Sequence, residues 1–479
     1  MSRIRSFAPT WVCLLMLFTG LAQQTEAFSV EKQTLLDSTQ IVALSFEEYL
    51  GYVKKYHPLM KQANLRLTQG EAKLLKARGG FDPKIAVDYD RKKFKGTEYY
   101  DILNATFKIP TWYGLDFKAK FEENTGKYLD PSLTVPEGGL YSAGVSISLA
   151  QGLLINERMA ALKKGRFFLQ QSKADRDLLL NNLVFDASIA YFKWLEAANE
   201  LKIYENFSEN TRTRLAAVKR SVEEGDIAAI DSIEARISLR NRNLNLEAAK
   251  LKIKKASLKA SNYLWINDIP LILEENVRPR QPSVKVLETV LTIRQMDDER
   301  DVVAEHPKIK SLDAKIEGLK VSRNLKRNKL LPKVDLEYNF LSADADRLAS
   351  FSAANYKAYV NVSVPIFLRK ERGDVKLADF KLQDAKFARR AKQLSLKNKI
   401  DAVYAEISSL DTQGGLIKNL IDDYATMVNA EERKFFMGES SVFLINSREQ
   451  KLLNAQLKEN VLLIKRLNAT AELFKAIGR

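Results

Sequence analysis

The chain has 479 residues, enough for two or three ordinary domains, and 46% of them are hydrophobic, so a large core is within reach. Lys and Arg number 76 against 60 Asp and Glu, a formal charge of +16, but the bases are interleaved with acids on helix faces, which points to solvated faces and away from nucleic acid as a partner. The single cysteine, Cys13, lies in an N-terminal apolar run, so disulfides, thiolate metal sites and cysteine nucleophiles are excluded together from the rest of the chain.

Arg3 and Arg5 precede an apolar run from Trp11 to Ala22, with small-residue sites ending at Ala22 and Ala27. This is the pattern of a secretory signal peptide over residues 1–27, with the mature chain expected to begin near Gln23 or Phe28. No other uninterrupted apolar run of about twenty residues occurs, so no helical membrane anchor is expected. Ser45 is placed to cap a helix that opens Phe46-Glu47-Glu48 and keeps helical spacing to about Arg78, where Gly79-Gly80 ends it. From Pro83 the period changes to two: Ile85, Val87 and Tyr89 alternate with Ala86, Asp88 and Asp90. Turn signals at Lys95-Gly96, Thr111 to Gly114 and Asn124 to Gly139 divide further alternating stretches rich in Tyr and Phe, and the strand region spans 83–150.

A helical hairpin of unusual length follows over 156–264, broken only at Glu223-Glu224-Gly225-Asp226. Leu180, Val184, Ala187, Tyr191, Trp194, Ala198 and Leu201 alternate steps of four and three, a sustained heptad. After the break, Ile230, Ile237, Leu244, Leu251 and Leu258 form one seven-residue row, and Leu239, Leu246, Ile253 and Ala260 form another. Two rows imply two neighbouring helices. The first arm would reach on the order of 100 Å, against about 30 Å for a bilayer core, and it carries charge throughout, so it has to cross water. Residues 266–297 contain Pro and lack periodicity, and they read as an irregular connector.

The second half repeats the first. His57-Pro58 recurs as His306-Pro307, Pro83-Lys84 as Pro332-Lys333 and Tyr89 as Tyr338, each 249 positions later (306 − 57, 332 − 83, 338 − 89). Downstream the offset is 213, matching Tyr191 to Tyr404, Arg220 to Arg433 and Gly225 to Gly438 (438 − 225). The difference of 36 (249 − 213) falls between the strands, so the first strand region holds either an added hairpin or a longer external loop. The chain divides into a first repeat at 28–265, the connector at 266–297, and a second repeat at 298–479, with strands at 332–366 and a helical hairpin at 368–478. In each repeat the first and last helices together match the long one in length. Stacked end to end beside it, they put all strands at one end and both Gly225 and Gly438 at the other.

Strands with one apolar and one polar face suit either a water-facing sheet over a core or a membrane barrel. The signal peptide, the aromatic strand regions and the water-crossing helices favour the barrel. One chain has few strands and open edges are not tolerated in lipid, so closure requires several copies. The expected fold is a mixed α+β membrane protein: long antiparallel coiled-coil helices forming an α-barrel, a transmembrane β-barrel shared by several copies, and an internal duplication. The rival reading is a periplasmic coiled-coil adaptor or scaffold, which would have one hairpin flanked by soluble β-domains. Phosphate loops, nucleophile elbows and metal-ligand spacings are missing from the sequence, so no enzyme activity, metal or cofactor is expected. Each histidine stands beside Pro at an early helix position with no second His or Cys nearby, so a structural helix-entry role is preferred.

The sequence resembles the TolC-like outer-membrane efflux proteins. The resemblance rests on His57-Pro58 and His306-Pro307, on Pro83 and Pro332 opening the first strand of each half, on the Val-Ser-x-Pro-Ile-Phe exit (Val362 to Phe367), and on the Gly at each helical turn. The run Gly438 to Glu449 is similar to one branch of that family. Gly152 departs from it by standing where a strand-exit Pro is usual, and the chain stops at Arg479 directly after a helix. The resemblance implies a trimer embedded in outer-membrane lipid of a Gram-negative bacterium. It also implies a tunnel through the periplasm, with a periplasmic adaptor and an inner-membrane pump or ABC exporter as partners. Two turns, Glu224-Gly225-Asp226-Ile227 and Met437-Gly438-Glu439-Ser440, are the expected adaptor-docking tips. Asp422 and Asp423 are candidates to line the channel. Gly414-Gly415, on the seam Val403, Ile407, Leu410, Gly414, Ile417, is either a site of close helix packing or a hinge.

Overall fold

The computed structural model describes residues 42–293, 299–344 and 351–478, so the expected signal peptide lies outside the described residues. The chain runs β1 (Val42–Leu44), α1 (Phe46–Tyr56), α2 (Pro58–Arg78), β2 (Lys84–Phe94), β3 (Thr97–Pro110), β4 (Leu115–Thr125), β5 (Leu140–Ala150), α3 (Glu157–Glu223) and α4 (Ala229–Ser261). After these come β6 (Trp265–Ile266), β7 (Ile269–Pro270), β8 (Val277–Pro279), α5 (Val284–Val290), α6 (Glu299–Glu305), α7 (Pro307–Asn328), β9 (Lys333–Ser342), β10 (Tyr356–Ser363), α8 (Arg369–Phe436) and α9 (Val442–Ile477).

Ser45 closes a capping box with Glu48 at the start of α1. The helix expected over 45–78 is two helices, because Pro58 has no N–H to extend the ladder and holds His57 extended at ψ 134°. His57 thereby becomes the N-cap of α2, its Nδ1 accepting from the Leu59 N–H at 3.1 Å, and His306 caps α7 in the same way, accepting from the Lys308 N–H at 3.0 Å. Both histidines are structural helix-entry groups, as the sequence suggested.

Among the described residues the six long strands form one antiparallel sheet in the order β10-β9-β5-β4-β3-β2. The extra residues of the first half therefore add a hairpin, β3–β4, to the sheet. The last strand ends at Ser363, short of the expected 366, because Pro365 cannot donate to a ladder. Gly152 makes the exit from β5 so tight that a Cβ there would lie 2.4 Å from Ser148 Cβ, which explains why the chain uses Gly at this point.

The 67-residue α3 is the spine. On one flank α2 packs beside its first half and α4 beside its second, and on the other flank α7 and α9 do the same, with α8 beyond them. The largest core sits at mid-height, where Tyr191, Phe192, Trp194 and Leu195 of α3 pack against Phe46, Tyr49 and Leu50 of α1. The segment expected to be irregular contributes to this core: β8 pairs in parallel with β1, and Leu273, Leu287 and Leu291 are buried in the cluster. Strands of two or three residues and a seven-residue helix are too short to carry a readable period, so sequence patterning passes over them.

Candidate channel wall and helical tips

Strand register turns the alternation of each strand into one continuous surface. Val87 stands opposite Ala105, Ala105 opposite Phe121, Phe121 opposite Tyr141, and farther along Val145 opposite Tyr338 and Tyr338 opposite Ala358. One face of the sheet is therefore apolar across all six strands, and it is exposed: Ile85 is 76% exposed, Val87 61% and Val360 64%. Aromatics flank this band, with Tyr89, Tyr128 and Tyr356 toward the loops and Trp112, Tyr113 and Phe367 toward the helices. An apolar belt between aromatic girdles suits lipid. The opposite face is polar and ion-paired, with Lys108 to Asp116 at 2.8 Å, Lys118 to Glu337 at 2.5 Å and Arg158 of α3 to Asp116 at 2.6 Å. Among the described residues no helix is long and apolar enough to cross a membrane.

The helical layer also ends in apolar edges. Ile253 and Ala260 of α4 are buried beside α3, whereas the companion row Ile230, Ile237, Leu244, Leu251 and Leu258 is 45–71% exposed. At the other edge, α8 exposes Phe380, Phe387, Leu394 and Leu416, each above 60%. These edges coincide with those of the sheet, since α2 leads into β2 and β10 leads into α8.

Both turns are the same Schellman reversal. Gly225 sits at φ 84° with its N–H on Val222 O and the Asp226 N–H on Ser221 O, while Gly438 sits at φ 78° with its N–H on Phe435 O and the Glu439 N–H on Lys434 O. They lie together: Ile227 and Phe435 flank a cluster of Leu215, Val218, Ala235 and Val442. Of the remaining tip residues, Ser440 donates to Glu431 at 2.6 Å, and Glu224, Asp226, Met437 and Glu439 are exposed.

Asp422 and Asp423 are both exposed, but they do not share a face. Asp423 is three residues after Leu420 and four before Met427, so it falls on the exposed apolar edge of α8, and Asp422 lies off both that edge and the seam to α9. Gly414 and Gly415 lie inside an unbroken α8. Close packing does not explain them, because a Cβ at either would meet nothing within 4 Å. They instead line a cleft of about 680 Å³ with Asn199, Lys202 and Arg466.

Comparison with known proteins agrees with this geometry. A family described as outer membrane efflux protein matches residues 300–479. The pyoverdine export outer membrane protein OpmQ of Pseudomonas putida is 20% identical over 421 residues, covering 87% of this chain and 82% of that protein. The solved structure of CusC superposes with a TM-score of 0.68 over 90% of this chain and 91% of its own, at 13% identity. The Campylobacter jejuni CmeC outer membrane channel does so with a TM-score of 0.63 over 90% and 85%, at 14% identity. The last 180 residues match the outer membrane efflux protein family, and the chain as a whole shares the fold of these outer membrane channels.

Near the two helical tips lies a group that the sequence patterning did not single out. Glu449 of α9 is 2% exposed and accepts from Arg214 of α3 at 3.0 and 3.1 Å, Arg242 of α4 approaches it at 3.7 Å, and Arg214 also reaches Glu432 of α8 at 2.9 Å. Four helices are joined through these four side chains. Desolvation is the largest influence on Arg214, yet its hydrogen bonds and attraction to Glu449 and Glu432 raise its pKa on balance, while for Arg242 desolvation prevails and lowers it. A signal was available, because Glu449 interrupts the apolar row Val442, Ile445, Leu453 and Arg242 interrupts Ala235, Leu239, Leu246.

Proposed function

We propose that three copies of this chain close into an export duct, with a β-barrel in the outer membrane and a helical tunnel reaching through the periplasm. The observation that carries the reading is the pairing of open edges. Sheet and helical layer each end in unpartnered apolar rows on the same two sides, so a neighbouring copy would cover the α8 edge with the α2 and α4 edge. A periplasmic adaptor or scaffold has no use for an exposed apolar sheet face bounded by aromatics, which disfavours that alternative.

In this duct the turns at Gly225 and Gly438 face away from the membrane, and six such tips around the mouth dock a periplasmic adaptor coupled to an inner-membrane pump or ABC exporter. Asp422 contributes an acidic ring inside the tunnel. OpmQ is named for export of pyoverdine, which supports a small-molecule cargo here. The test is membrane fractionation followed by electrophoresis of unheated, detergent-extracted protein. The expected result is outer-membrane recovery and migration near three times the monomer mass until heated, and a soluble monomer overturns the reading.

A further inference from the structure

We infer that the shared barrel has eighteen strands, six from each of three chains, with β2 of one copy pairing with β10 of the next. The inference rests on the trimer proposed above and concerns what the β3–β4 hairpin does to it. A second half with two strands and a first half built to match would give four per chain, but the sheet has six. The two added strands belong to the wall. β3 pairs with β2 from Phe94 and Thr97 to Lys84 and Lys108, and β4 pairs with β5 over eight consecutive positions from Leu115 and Ile147 to Glu122 and Leu140. They also keep the two-faced pattern, with Ala105, Phe107, Phe117 and Phe121 on the apolar face and Thr106, Lys118 and Lys120 on the polar one. Between β3 and β4 the chain turns at the helix end, where Asn156 Nδ2 donates to Trp112 O at 3.1 Å and so ties the turn to the start of α3.

The edges fit a second copy. Strand directions alternate across the sheet, so β2 and β10 run oppositely and their junction between copies is antiparallel like every other pairing in the sheet. All eleven residues of β2 are exposed, as are seven of the eight in β10, with only Asn361 partly buried. In lipid such edges have to be paired.

Strand number fixes width. With strands about 4.8 Å apart and tilted about 40°, eighteen strands give a barrel radius of about 18 Å, whereas twelve give about 12 Å. After side chains line the wall, the wider barrel leaves a passage of roughly 20 Å, broader than the ~10–12 Å of one helix. The outer-membrane exit then does not restrict cargo to extended chains or small molecules.

The test is a spin-label distance measurement on the full chain, with Ala119→Cys in β4 and Cys13→Ser removing the native thiol. Three labels on an equilateral triangle are separated by √3 times the radius, so a single distance of about 30 Å is expected for eighteen strands and about 20 Å for twelve, from the same spacing and tilt. A distance near 20 Å in a confirmed trimer overturns the inference, and light scattering showing no trimer instead overturns the reading beneath it. A second measurement uses Thr106→Cys and Lys118→Cys against Ala105→Cys and Ala119→Cys. A membrane-impermeant maleimide should label the first pair at least tenfold faster, and equal rates at all four sites would place β3 and β4 outside the wall.

Discussion

His306 gives the sharpest test of how the helices are joined at mid-height. The imidazole is 3% exposed, its Nδ1 accepts the Lys308 N–H, and it is hydrogen-bonded to the backbone of Lys475 near the end of α9. Burial pushes its pKa down to about 4, with the positive charges of Lys392 and Lys308 acting in the same direction. The folded protein thus holds His306 neutral, whereas the unfolded chain protonates it near 6.5. Above pH 6.5 neither state carries the proton. As pH falls from 6.5 to 4 only the unfolded state gains it, so stability is lost through that window. The gap of 2.5 units (6.5 − 4) at about 1.4 kcal/mol per unit amounts to ~3 kcal/mol per chain. Asn at this position keeps a side-chain acceptor for the cap and removes the titration. Thermal unfolding of detergent-solubilised protein, followed by circular dichroism at pH 7.5 and 4.5, should show wild type losing a few degrees more than His306→Asn on acidification. His57, also lowered by burial, acts equally in both proteins and cancels. Equal losses in the two proteins would refute the assignment.

Three further outcomes follow from the tips and the tunnel. Glu449→Gln leaves Arg242 buried without a carboxylate and should lower stability by about 3–5 kcal/mol in denaturant titrations, while Glu449→Met with Arg242→Met should recover most of the loss. Gly225→Val and Gly438→Val force a β-branched residue into left-handed backbone, at a cost of at least about 1–2 kcal/mol per turn. Adaptor crosslinking and export should be lost with trimers intact, and normal crosslinking in both variants would move docking elsewhere. Asp422→Ala should weaken cation selectivity and block by multivalent cations in planar-bilayer recordings more than Asp423→Ala does, because only Asp422 lies off the apolar edge of α8. Equal effects would remove that distinction.

Periodicity alone determined much of this protein. The alternating rows of α3 and β9, the glycines of the two turns and the repeated His-Pro pairs are short-range signals, set by helical pitch, strand pleat and backbone sterics, and each appears in the structure where the sequence put it. Both heptad rows of α4 were legible as well, although only the row with Ile253 and Ala260 finds its cover within the chain and the row Ile230 to Leu258 stays exposed. What the sequence left open were matters of partnership between distant segments. Whether the extra first-half residues formed a loop or a hairpin depended on β4 finding β5, and the buried charge of Glu449 depended on arginines 207 and 235 positions away (449 − 242, 449 − 214). Gly414 and Gly415, for which close packing had been one expectation, border an open cleft within the chain. Spacing along one segment fixes which face a residue takes, but only the assembled chain decides what stands opposite that face.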